Sequence, residues 1–354
     1  MSGAGTKITD EARTAFDQYL TRADAKGAVA LGVRLLEEGT GAEEVLLDLV
    51  APAQVTVGSR WAAGEWTVAR EHAATHISQQ VVDAVATAAR PPEDAATGGD
   101  IVVACSDGEW HTLAPRILSE VLRLHGFRVR FLGGHVRPAR LIADLHANGP
   151  DLAALSCTLP VRLPSASRLF EACRTADVPV LAGGPGFGPG GVWAYTLGAD
   201  LYAPGARAAV DVLRSQWPPV PASGPTPDHP STEAYAWLTQ QRPELLRGVL
   251  ERLRLPVHDD DPSDPRFEDV VEQVGYLTDS LAAGVFVDDS RVLTGCLGFL
   301  REFLAARSSR PDCLETVLAA LSELLRDSPR ALAHVAVGRK WLNDRTDGSG
   351  SGSG

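Results

Sequence analysis

The chain has 354 residues, 33 basic and 45 acidic, for a formal charge of -12 and a pI near 5.2. Such acidity, with no basic stripe, excludes the phosphate-neutralising surface of a nucleic-acid-binding protein. No long apolar run suggests a membrane span or a signal peptide, so the expectation is a cytoplasmic protein of two or three domains, without nucleic-acid or membrane partners.

Five cysteines, Cys105, Cys157, Cys173, Cys296 and Cys313, are odd in number and lack CxxC spacing. That argues against both a disulfide framework and a zinc site. In chain order, residues 8–90 read as four helices packed as a bundle: Ala15, Phe16, Tyr19 and Leu20, then Val45, Leu46, Leu49 and Val50, recur at helical spacing. Pro52 and Gly64 are read as breaks in this pattern.

After Pro91-Pro92 the pattern changes. Over residues 98–215, short apolar runs at 101–105, 127–132, 152–156, 178–182 and 201–203 alternate with amphipathic stretches at 113–125, 139–147, 164–176 and 206–213. This alternation predicts parallel βαβ units with right-handed crossovers. A Pro-rich linker follows over 216–230, including Pro225, Pro227 and Pro230. Residues 231–343 then read as an independent all-α domain of five helices. Within it, the acidic run Asp259-Asp260-Asp261 with Asp264 reads as a solvated loop. Residues 347–354 read as a flexible Gly-Ser linker. The fold class is therefore multidomain α and α/β.

Ligands of open parallel sheets bind beyond the carboxyl ends of the strands. Three unusual segments fall there: 106–114 with Glu109 and His111, 156–159 with Ser156 and Thr158, and the glycine-rich 183–188 beginning Gly183-Gly184. Glycines admit close backbone approach, and small hydroxyls bond a polar tail. No GxGxxG follows the first strand, which removes the dinucleotide reading.

Together, Gly108-Glu109-Trp110-His111-Thr112-Leu113-Ala114, Ser156-Cys157-Thr158 and Gly183-Gly184 resemble the Rossmann-like cobalamin-binding domain shared by methionine synthase, corrinoid carrier proteins and CarH-type photoreceptors. The resemblance implies base-off, His-on binding. His111 would be the lower ligand to cobalt, with Glu109 supporting its imidazole and the nucleotide tail lying beside Ser156, Thr158, Gly183 and Gly184. Two positions depart from the family pattern: Glu109 replaces the usual Asp, and Ala114 the usual Gly.

In the bundle, Trp61 is followed by Glu71-His72. This spacing resembles the Trp-x9-Glu-His signature of cobalamin-dependent light sensors. That likeness implies adenosylcobalamin, with Trp61 and Glu71 against the adenosyl group and His72 binding cobalt after photolysis. His76, one turn on, is read as an alternative upper ligand or a hydrogen-bond partner of His72.

The domain order further resembles the photocobilins, which pair cobalamin with biliverdin and carry a globin-like third domain. On that reading Arg291, Arg301, Arg307, Asp288, Asp289 and His334 would serve the bilin, with Cys296 or Cys313 as attachment points. Plain helical core with solvated charges is the other reading of the same residues. The expectation is thus a non-enzymatic photoreceptor, with a homo-oligomer or a downstream signalling protein as partner. The alternatives are a corrinoid methyl carrier of a methyltransferase system and a cobalamin-binding regulator without a light role.

Overall fold

The computed structural model describes residues 7–90, 96, 98–221, 232–253, 265–307 and 313–347. The acidic run at 259–261 and Asp264, most of the Pro-rich linker and the Gly-Ser tail beyond Asp347 lie outside them. The chain divides into two units, residues 1–226 and 227–354.

The first unit opens with helices Asp10–Thr21 and Ala25–Glu37, whose starts are set by side-chain caps. Thr9 accepts from the Ala12 N–H and Asp24 from the Gly27 N–H. A continuous helical run over 42–62 follows, π-helical over Val45–Val50 and α-helical over Ala51–Ala62. Pro52 therefore does not break the helix. It sits in the first turn after the wide π segment, where the missing N–H and the ring are accommodated by the altered hydrogen-bond step. Helix Val68–Ala88, capped by Thr67, completes the four.

The second half of this unit is a five-stranded, all-parallel sheet in the order β2-β1-β3-β4-β5. The strands are β1 Asp100–Cys105, β2 Arg128–Phe131, β3 Leu152–Ser156, β4 Val180–Gly183 and β5 Leu201–Ala203. Ile101 to Cys105 and Leu152 to Leu155 are buried, as expected of central strands covered on both faces. Crossover helices Leu113–Leu124, Pro138–Asn148 and Leu163–Thr175, and helix Ala206–Ser215 after β5, lie close to the sequence-based expectation, while the β4–β5 crossover carries the short helix Val192–Thr196.

Bundle and sheet share one core. Val81 and Val85 of Val68–Ala88 belong to the same buried cluster as Leu113, Ile117 and Val121. Burial of each such side chain contributes about 1.5–3 kcal/mol. Polar ties fix the register. Arg207 donates to Asp48 at 2.9 and 2.8 Å, His125 to Glu43 at 2.7 Å, and Arg116 to Asp83 at 3.0 Å.

The second unit is all-α among its described residues: Thr232–Leu253, Pro265–Val287, Arg291–Ala306, Cys313–Leu324 and Pro329–Asp347. Its core is aliphatic, with Leu277, Leu281, Leu293, Leu297, Leu318 and Leu321 buried together. The last helix runs past residue 343, through Asp347.

Candidate functional site

The strand register sets Cys105, Ser156, Gly183 and Ala203 abreast across β1, β3, β4 and β5. The three segments singled out in the sequence therefore leave the sheet on one carboxyl rim. This rim includes the point between β1 and β3 where the strand order reverses, the usual ligand crevice of such sheets.

Glu109 organises the rim. Its side chain is 1% exposed, and its two oxygens take four donors. Oε1 accepts from the His111 backbone N–H at 3.0 Å and from His111 Nδ1 at 2.5 Å; Oε2 accepts from the N–H groups of Thr158 at 2.8 Å and Leu159 at 3.2 Å. Burial alone would raise the Glu109 pKa. The bonds from the His111 ring and backbone and from Thr158 overcome it and bring the carboxyl from 4.5 to about 2. His111 is shifted up, chiefly by its bond to Glu109 and against the effect of burial, with Glu71 adding to the rise and Arg162 opposing it.

With Nδ1 committed to a carboxylate, Nε2 is the free lone pair of a ring that is 57% exposed. Thr158 joins the site through its backbone N–H to Glu109, a contact that its side-chain type does not signal. Ala114 lies exposed in the first turn of Leu113–Leu124.

Gly184 has φ +104, and a Cβ there would stand 2.4 Å from the Cys157 carbonyl oxygen. Only glycine fits. Gly184→Ala is expected to cost about 1–3 kcal/mol in strain and contact, read as a lowered thermal midpoint in circular dichroism.

On the bundle side, His72 is 74% exposed and its Nδ1 contacts Glu71 Oε2. The Thr75 hydroxyl lies 2.8 Å from Glu71 Oε1 and 2.9 Å from Gln54 Oε1, and donates to one of them. Gln54 Nε2 donates to Ser78 at 2.7 Å. His76 does not partner His72: its Nε2 is 3.0 Å from Gln80 Nε2. Trp66 is buried between Arg60 and Arg70, at 5.2 and 4.6 Å from its ring, whereas Trp61 is half-buried. Gln54, Thr75 and Ser78 carried no sequence signal, because only the packing of two helices joins them.

In the second unit Asp288, Asp289, Arg291 and His334 lie together: Arg291 is paired with Asp289, and buried His334 has its Nδ1 2.9 Å from Ser290 Oγ and its Nε2 3.8 Å from Asp288. Arg307 packs over Phe303 at the far end of the same helix, some 24 Å from Arg291 at 1.5 Å per residue. Cys296 is buried, its thiol pushed up to about 12 by desolvation.

A corrinoid brings its own nitrogens to cobalt and needs one further donor from the protein; an imidazole with a free Nε2, held by a carboxylate as His111 is by Glu109, fits that need. Among the described residues no group of three or more His, Cys, Asp or Glu could hold a bare ion. No helix among them is long and apolar enough to cross a membrane.

Comparison with known proteins agrees. Residues 99–213 match the B12 binding domain, and residues 12–86 match a second domain also described as a B12 binding domain. Trimethylamine corrinoid protein 2 of Methanosarcina acetivorans is 26% identical over 123 residues, 34% of this chain and 56% of that protein. This chain thus spans a little over half of that relative's length. The trimethylamine corrinoid protein of Methanosarcina barkeri is 24% identical over 215 residues, 58% of this chain and 93% of that protein. The solved monomethylamine corrinoid protein of Methanosarcina barkeri shares the fold, with a TM-score of 0.52 and 17% identity over 59% of this chain and 100% of that one.

These matches support a cobalamin cofactor and overturn the photoreceptor expectation. The relatives are named as methylamine corrinoid proteins, and nothing supports an adenosyl group, its photolysis or a bilin. The Trp61 to Glu71-His72 spacing crosses one helix–helix connection.

Proposed function

We propose that the chain is a corrinoid methyl carrier, the non-catalytic partner of a methyltransferase acting on small methylated amines. The observation that carries this reading is the buried Glu109 carboxylate. It holds the His111 ring at the reversal point of the parallel sheet, within a segment matching the B12 binding domain. When bound, the corrinoid supplies a cobalt centre able to accept and pass on a methyl group.

His111 Nε2 would hold the cobalt, and Glu109 keeps the proton at Nδ1, fixing the tautomer and raising the donor strength of the ring. Ser156, Thr158, Gly183 and Gly184 line the groove for the nucleotide tail. Residues 98–215 act as the cofactor domain and 8–90 as the cap over its upper face. There, Trp61, Glu71, His72 and His76 would limit access of water to the bound group.

The test is transfer. The protein is reconstituted with hydroxocobalamin, reduced, and mixed with methyltransferases specific for mono-, di- or trimethylamine and their amines. It is expected to show the absorbance change of cobalt methylation with one of them. A protein that holds cobalamin yet is methylated by none would contradict the carrier reading.

A further inference from the structure

Trp110 stands between the two residues that build the lower site, yet takes no part in their pairing. It is 71% exposed, and its indole is stacked on the His135 ring, with centroids 5.1 Å apart and planes 10° from parallel. His135 follows β2 with φ 51, a left-handed conformation that costs a non-glycine residue about 1–2 kcal/mol. Two hydrogen bonds hold it there: its N–H donates to the Glu109 carbonyl at 2.9 Å, and the Gly108 N–H donates to its Nδ1 at 2.9 Å. Gly134 lets the two loops meet, since a Cβ there would stand 2.9 Å from the same Glu109 oxygen. A strained residue is thus spent on keeping an indole flat, with its other face uncovered. Such strain persists where a site requires it.

The sheet order says what lies above. The tail groove at β3 and β4 is on one side of the β1 loop that carries His111, and the loop after β2 that carries His135 is on the other. Strands are spaced about 4.8 Å apart, and a corrin ring spans roughly two such spacings. A ring held by His111 with its tail over β3 and β4 would therefore overhang the β1–β2 side.

We propose that Trp110, braced by His135, is a shelf for the lower periphery of the corrin on the side away from the tail. It would be a positioning residue for the cofactor. The rim of a corrin carries methyl groups and amide arms, which suit an indole with an apolar face and an N–H donor. The proposal rests on cobalamin binding and not on the identity of the methyl donor.

The test titrates the full-length apo-protein with hydroxocobalamin and, separately, with cobinamide, which has no nucleotide tail. Absorbance and tryptophan quenching give the dissociation constants. Trp110→Ala is expected to weaken both about tenfold, while the absorbance of imidazole-ligated cobalt returns at saturation. Trp110→Phe is expected to recover most of the affinity, and His135→Ala to fall between. Unchanged affinity for both corrinoids in Trp110→Ala would overturn the proposal, as would a loss confined to cobalamin or to the methyltransferase reaction. Failure of the wild type to bind either corrinoid would instead remove the cobalamin reading beneath it.

Discussion

Replacing His111 by alanine is expected to weaken corrinoid binding by roughly 100-fold or more and to abolish the absorbance of imidazole-ligated cobalt, while the protein stays folded. Supporting residues behind a metal ligand are worth about 10–100-fold in affinity, and the ligand itself is worth at least as much. The ring is more than half exposed, so its removal leaves no large cavity. Glu109 keeps three of its four donors, the N–H groups of residues 111, 158 and 159. The expected stability loss is therefore on the order of 1–3 kcal/mol, the worth of one hydrogen bond to a charged group. Equilibrium titration followed by a urea melt of the same variant separates the two effects. A variant that bound as tightly as the wild type would show that the lower ligand lies elsewhere.

Glu109→Ala is expected to do the reverse, harming the fold as well as the cofactor site. It strips acceptors from the Thr158 and Leu159 N–H groups and leaves His111 unsupported, for a loss of about 3–5 kcal/mol in the apo-protein. Glu109→Gln keeps the shape and should cost less in stability, with a 10–100-fold loss of corrinoid affinity.

The pH dependence has a definite sign. Glu109 is held at about 2 in the folded chain against an ordinary 4.5, so its contribution is complete above 4.5 and is lost as pH falls from there to 2. The contribution is on the order of 3 kcal/mol. His111 is raised, so its own share is present below its ordinary 6.5 and fades as pH climbs through the folded value. The two shifts describe one interaction and do not add. Urea melts of the apo wild type should show stability falling between pH 4.5 and 2, and Glu109→Gln should show a flatter profile there.

The sheet was readable in the sequence because buried parallel strands appear as bare apolar runs. Ile101 to Cys105 and Leu152 to Ser156 fall where expected. The Glu109–His111 pair was legible only through the resemblance of residues 108–114 to the cobalamin-binding motif. What joined these residues to the β3 segment was not, since Thr158 contributes a backbone N–H that any residue but proline could supply. The same holds for Trp110 on His135 and for Gln54 between Thr75 and Ser78, which meet only through the fold.

Pro52 misled because proline ends an α-helix but is tolerated just after a π segment. The light-sensor reading failed for a different reason. The relatives that this chain matches are corrinoid proteins, and their likeness extends over the bundle that carries Trp61 and Glu71-His72. The bilin expectation rests on domain order alone, and the matched relatives, named as corrinoid proteins, do not support it.

Electron paramagnetic resonance of the reduced, cob(II)alamin-loaded protein, grown with 15N-histidine, tests the central claim most directly. Ligation by His111 predicts that the nitrogen superhyperfine triplet of the unlabelled protein becomes a doublet on labelling, and that this doublet disappears in His111→Ala. A triplet unchanged by the label would place the cofactor's own benzimidazole on cobalt and contradict the His-on account.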